Sequence, residues 1–191
     1  MRRTRATAAM SLFLTAALAV GGAPPGYANS ARPDFAAQAR GYGLSDAQAA
    51  SLQRRVDTYL ARTGGTQVAI NKIDLDGKGV LLLTLPGQKH AHEIGAPNRP
   101  DATFADCEVR NFCAYSAPDL TGDLIMYYYC TYKLSMPFAG YGSYFNIQIA
   151  GASAHFYDSN RAYMYDSLAA FSSSSPFYWS PVYWVKPCGG I

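Results

Sequence analysis

The chain has 191 residues, 49% of them apolar and 15% charged, a balance too hydrophobic and too lightly charged for intrinsic disorder. That length suits one domain, or one domain with a smaller module. The nominal charge of +3 rests on Arg2, Arg3 and Arg5; without the first 28 residues, 13 basic residues face 13 acidic ones, which gives nucleic acid no electrostatic hold and excludes it as a partner.

Residues 1–28 read as a secretory signal peptide. A basic start is followed by an apolar run from Ala8 to Val20, by the helix breakers Gly21, Gly22, Pro24 and Pro25, and by the small-x-small site Gly26-Tyr27-Ala28. The run is well short of the ~20 residues a membrane-spanning helix needs, and no later stretch is long enough either. The expected product is secreted and extracellular, with no membrane span after signal removal.

Asn29 to Gly43 is rich in Ala, Gly and Arg and is expected to be a loose N-terminus. The first predicted element is a helix from Ser45 to about Arg62. Ser45 and Gln48 form a capping box, Gly64-Gly65 supplies the stop, and Leu52, Val56, Tyr59 and Leu60 share one face. A hairpin is predicted next, Gln67 to Leu75 and Val80 to Leu85, turning at Asp76-Gly77 in type I′ geometry. This helix–hairpin segment, 29–85, is marginal alone; it either leans on the second half or is a removable pro-segment.

Residues 86–106, with Pro86, Gly87, Gly95, Pro97 and Pro100, read as a linker. His90-Ala91-His92 would suit a metal only on a strand, and Asp74-x-Asp76-Gly77 opens like a calcium loop without the later ligands. No metal or cofactor is expected at either.

The remaining segment, 107–191, holds twenty aromatic residues and nine charged ones. The runs Leu124–Tyr132, Tyr144–Ile149, Ala154–Tyr157 and Tyr178–Val185 favour β-structure, and Pro and Gly punctuate them. An antiparallel sandwich or Greek key is expected, with some aromatics exposed as a contact surface. Cys107, Cys113, Cys130 and Cys188 form an even set, and an exported chain favours two disulfides. Of three pairings we expect Cys107–Cys113, close in sequence, and Cys130–Cys188, which closes the domain. A zinc site is the rival reading, but no C-x-x-C pair exists.

Tyr115-Ser-Ala-Pro-Asp119-Leu120-Thr-Gly122 resembles the Greek-key signature of βγ-crystallins, with a degenerate second copy at Phe156-Tyr157-Asp158-Ser-Asn160, where Met164 replaces glycine. With the secretion signal and the cysteine just before the motif, the chain resembles the actinobacterial, streptomycete metalloproteinase inhibitor-like peptidase inhibitor family. The resemblance covers Cys107 to Cys188. It implies a βγ-crystallin-like domain there, which with the N-terminal helix and hairpin expected upstream makes an α+β chain. In that fold Tyr115 would pack as a hairpin corner, Asp119 and Leu120 would shape the turn, and Gly122 would take a backbone angle closed to other residues. Crystallin calcium ligands would fall at Asn146-Ile147-Gln148-Ile149-Ala150, where only Asn146 offers a suitable side chain, so weak calcium binding or none is expected.

The expected role is inhibition of an extracellular protease, a metalloprotease first. The contacts would come from Glu108, Val109, Arg110 and Asn111 in the short disulfide loop and from Phe177, Tyr178 and Trp179. The alternative is a cell-surface module that stacks polysaccharide on exposed aromatics; a flat aromatic strip would favour it, a convex rigid loop the inhibitor. Catalysis is not expected. Gly151-Ala-Ser153-Ala-His155 lacks the last glycine of a nucleophile elbow and a following helix. Among the candidate paired carboxylates Asp119, Asp123, Asp158 and Asp166, Asp119 and Asp158 occupy turn positions.

Overall fold

A computed structural model describes residues 34–94, 107–128 and 130–189, all within one compact unit, Pro33–Ile191. The expected signal peptide, residues 29–33, the part of the expected linker from 95 to 106, Tyr129 and the last two residues lie outside the described residues.

Two helices come first: α1, Phe35–Gly41, and α2, Asp46–Thr63. The first replaces the expected loose N-terminus. Asp34 caps it by accepting from Ala37 N, Ala39 is fully buried, and the Gln38 side chain accepts from Ile70 N at 2.5 Å. A seven-residue helix has little propensity of its own, and these tertiary contacts hold it. The second helix begins with the expected capping box, Gln48 N donating to Ser45 Oγ and Ser45 N to Gln48 Oε1. It ends at Gly64, whose φ of 70° closes the last turn.

The predicted hairpin is instead three strands: β1, Thr66–Ala69, β2, Lys72–Asp74, and β3, Gly79–Leu82. The extra turn falls at Ile70-Asn71. Asn71 is buried there and its amide donates to Leu83 O and His92 O, which holds the corner that the apolar run conceals. The Asp76-Gly77 turn is of the expected kind, with φ of 56° and 72°.

Eight more strands follow: β4, Phe112–Ala117; β5, Thr121–Tyr127; β6, Leu134–Ser135; β7, Tyr141–Asn146; β8, Ser153–Tyr157; β9, Tyr163–Asp166; β10, Ser172–Tyr178; and β11, Trp184–Gly189. They form two antiparallel sheets, one ordered β1-β2-β3-β5-β4-β7-β10 and one ordered β6-β11-β8-β9. Two consecutive four-strand units are visible in this order. Each keeps its first, second and fourth strands in one sheet and lends its third, β6 or β10, to the other.

The expected strand ends need correction: Leu124–Tyr132 is β5 only as far as Tyr127, and Tyr144–Ile149 is β7 only as far as Asn146. The run Tyr178–Val185 is not one strand: the chain turns over residues 179–183, where Val182 N donates to Trp179 O, and separates β10 from β11. The serines at 172–175 are extended, although serine does not favour strands, because β10 pairs along β7 from Ser172–Asn146 to Tyr178–Tyr141.

The upstream segment and the second half share the larger sheet, since β3 pairs with β5 from Gly79–Tyr127 to Leu82–Leu124. They also share one core. Leu52 and Val56 of α2, Ile73 and Leu81 pack in the same cluster as Phe112, Ile125, Tyr144, Phe156, Trp179 and Val185. In this fold the segment leans on the second half. Part of the supposed linker is built in as well: Ala91 is buried with Leu82, Cys113, Tyr115 and Leu124 on the opposite sheet face.

The β4–β5 turn carries positive φ at Asp119 (59°), Leu120 (56°) and Gly122 (82°). A Cβ on Gly122 would sit 2.4 Å from Ser116 Oγ, so both its angle and its space require glycine. Leucine tolerates its strained angle because neighbouring strands hold the turn. Ser143 Oγ accepts from Leu120 N and donates to Ala117 O, while Ser175 Oγ accepts from Asp119 N and donates to Asp119 Oδ1. Tyr115 is buried beneath it, and its carbonyl accepts from Trp179 Nε1 at 3.0 Å. Ser143→Ala removes a buried latch from a strained turn, and denaturant unfolding is expected to show a loss of about 2 kcal/mol. A change within experimental error would mean that the turn holds itself.

Candidate functional site

The cysteines pair as expected, Cys107 with Cys113 and Cys130 with Cys188. The loop-entropy relation gives about 2 kcal/mol for the short bridge and about 4 kcal/mol for the long one.

The first bridge frames a tight loop. Glu108 O accepts from Asn111 N at 3.2 Å, Ile147 O accepts from Arg110 N at 2.9 Å, and Asn111 O accepts from Ile147 N at 3.1 Å. Arg110 takes a φ of 76°, and the side chain of Val109, 71% exposed, stands at the tip. One end of the loop is covalently tied to Cys113, a fully buried residue of β4. This is a short exposed loop whose backbone is already held. Within it Glu108, Val109 and Arg110 face solvent, whereas Asn111 is buried and belongs to the frame.

The second expected contact stretch is corrected. Trp179 is fully buried, and its ring packs 4.4 Å from Phe177 and 5.8 Å from Phe156. Phe177 is partly buried against the same core. The Trp179 ring lies in the core, out of a partner's reach, whereas Phe177 keeps part of its surface exposed. Only Tyr178 points outward, and it pairs across strands with Tyr141, ring centroids 5.1 Å apart.

The four candidate carboxylates are dispersed. Asp119 lies in the β4–β5 turn, and Asp158 caps the β8–β9 turn by accepting from Asn160 N and Ala162 N. Asp166 Oδ1 meets His155 Nδ1 and accepts from Tyr163 OH at 3.1 Å. Ser153 shares a strand face with His155, and its hydroxyl donates to Gly189 O at 3.5 Å. Asn146 is buried, and its amide donates to Ala152 O and Leu168 O. His90 Nδ1 lies 3.1 Å from Leu120 O, and among the described residues no three His, Cys, Asp or Glu side chains converge as metal ligands. No helix among the described residues is long and apolar enough to cross a membrane.

Asp123 anchors a cluster that spacing could not reveal. It is buried in β5 and accepts from Arg55 Nη2, from Tyr59 OH at 2.7 Å, and from Thr84 N and Oγ1 at 2.9 and 3.0 Å. Arg55 also donates to Thr84 O and Thr84 Oγ1. Burial, followed by the adjacent Asp123 charge and the bond to it, pushes the Tyr59 phenol far above its ordinary value.

Compared with family models, curated proteins and solved structures, the chain has no significant match.

Burial also holds the Tyr127 phenol protonated, its hydroxyl donating to Ser135 O at 2.7 Å. An unfolded tyrosine ionises near pH ~10 while these two keep their protons, so above that pH the unfolded state binds fewer protons and stability falls as pH rises. An absorbance titration is expected to end in a cooperative step in which Tyr59 and Tyr127 ionise as the helical circular dichroism disappears. Full ionisation of all tyrosines with the native spectrum intact would contradict this burial.

Proposed function

We propose that this is a secreted proteinaceous inhibitor of an extracellular peptidase, built on a βγ-crystallin-like pair of Greek keys. The strand exchange between β4–β7 and β8–β11 supports that fold, as does the Tyr115-to-Gly122 turn. Each unit closes only by lending a strand to the other, which is how two such motifs share a core.

The observation that carries the inhibitory reading is the Cys107–Cys113 loop, with Val109 exposed at the tip of a backbone already fixed by a disulfide and by bonds to Ile147. A loop that loses little freedom on binding keeps more of its contact energy as affinity. In a peptidase cleft, Val109 would supply the apolar side chain and Glu108 and Arg110 the flanking polar contacts. The exposed Tyr141–Tyr178 pair favours the alternative, polysaccharide binding, because two adjacent amphipathic rings present an apolar face with polar edges.

Titration of the purified protein against a thermolysin-type metallopeptidase and a subtilisin-type serine peptidase is expected to inhibit at least one. Val109→Asp should weaken that inhibition by roughly tenfold or more, since an unpaired carboxylate would be buried in the contact. Inhibition of neither enzyme would overturn this assignment of target. Retention on insoluble cell-wall polysaccharide, lost in Tyr141→Ala/Tyr178→Ala, would then establish the alternative.

A further inference from the structure

Helix α2 carries Arg55, Tyr59 and Arg62 at spacings that place them on one face. That face borders a cleft of about 260 Å³, closed on the other side by Ser116 and by Pro137, Phe138 and Ala139 from the β6–β7 connection. Its walls are chemically unequal. The Tyr59 and Phe138 rings meet edge to face at 6.0 Å, and Pro137 and Ala139 extend the apolar surface.

The charged wall has spare capacity. Arg55 is engaged by Asp123 and Thr84, whereas among the described residues the Arg62 side chain gives one hydrogen bond, from Nη1 to Pro137 O at 2.9 Å. Among the described residues Arg62 meets no carboxylate. Its planar fork has five N–H donors, an arrangement that matches a carboxylate. Asp123 is buried and already paired with Arg55, and both arginines line the cleft. The open end of the cleft is thus cationic beside an apolar wall.

We propose that this cleft binds a small carboxylate borne on a short apolar body, with Arg62 holding the carboxylate and the Tyr59, Pro137 and Phe138 surface receiving the apolar part. The volume lies below the roughly 300–1,000 Å³ of a typical ligand pocket, which limits the guest to a small acid or to the last residue of a peptide. These two sources share one chemistry. The site is independent of the disulfide loop and does not require the inhibitory reading.

The test is an NMR titration of the full mature chain with N-acetyl-leucine, a peptide C-terminus, with phenylacetate, a free organic acid, and with N-acetyl-leucinamide, which lacks the charge. Saturable shifts at the Arg62 side chain and the Phe138 ring are expected from at least one acid and not from the amide. A response to N-acetyl-leucine alone assigns the site to peptide termini, and a response to phenylacetate alone assigns it to free acids. Arg62→Gln and Thr58→Glu, both at exposed helix positions, should each weaken binding by roughly tenfold or more, with Trp179 fluorescence confirming the native core. No saturable shift with either acid, an equal response to the amide, or unchanged affinity in both variants overturns the proposal.

Discussion

A carboxylate in a protein interior must be surrounded by donors, because leaving it bare costs several kcal/mol. Asp123 meets that demand with groups from widely separated parts of the chain: Arg55 and Tyr59 from α2, and Thr84 from the segment after β3. Its own amide donates to Ser116 Oγ, and its neighbour Gly122 donates to Lys89 O. That side chain therefore fixes the helix and the segment after β3 against β5, and the adjacent Gly122 amide ties Lys89 to the same place. Nonpolar packing supplies most of the stability, but it is directionless, and this cluster sets how α2 lies on the sheet.

That constraint explains why the first half is more than a leader to the second. Removing 34–85 would bare the β3-pairing edge of β5, uncover Ile125 and Tyr127, and leave Asp123 without its donors. The disulfide loop stands on the next strand, with Cys113 opposite Met126 of β5 on one side and Phe145 of β7 on the other. The rigidity of the proposed contact surface therefore derives from the whole sheet as well as from its own bridge. A loop free to move would give up part of its binding energy to ordering.

What the sequence made legible is local. Ser45 and Gln48 meet within one turn, Asp76-Gly77 can form only a few turns, and Tyr115-to-Gly122 encloses its own strained corner. Cysteine spacing led to the observed pairing because one pair is close in sequence. The rest depends on partners far away. The bond from Arg55 to Asp123 spans 68 positions. The serine strand β10 exists because β7 offers an edge, and α1 exists because Ala39 and Gln38 find places on the rest of the fold. Trp179 was misplaced for a related reason: an aromatic run gives no sign of which ring faces inward when the chain turns immediately after it. The cleft beside Arg62 was hidden as well, since its two walls lie about 75 residues apart in sequence.

The most direct test of this account follows unfolding by two probes at once. Far-ultraviolet circular dichroism at the helix band reports α2 in the first half, and tryptophan fluorescence reports Trp179 and Trp184 in the second. One cooperative unit predicts coincident denaturant transitions in the native sequence, and in Asp123→Ala both should move together to lower denaturant by a stability loss of about 2–3 kcal/mol, Arg55 being partly exposed. Two separate transitions in the native protein, or an Asp123→Ala change that loosens the helix and leaves the tryptophan transition in place, would contradict it.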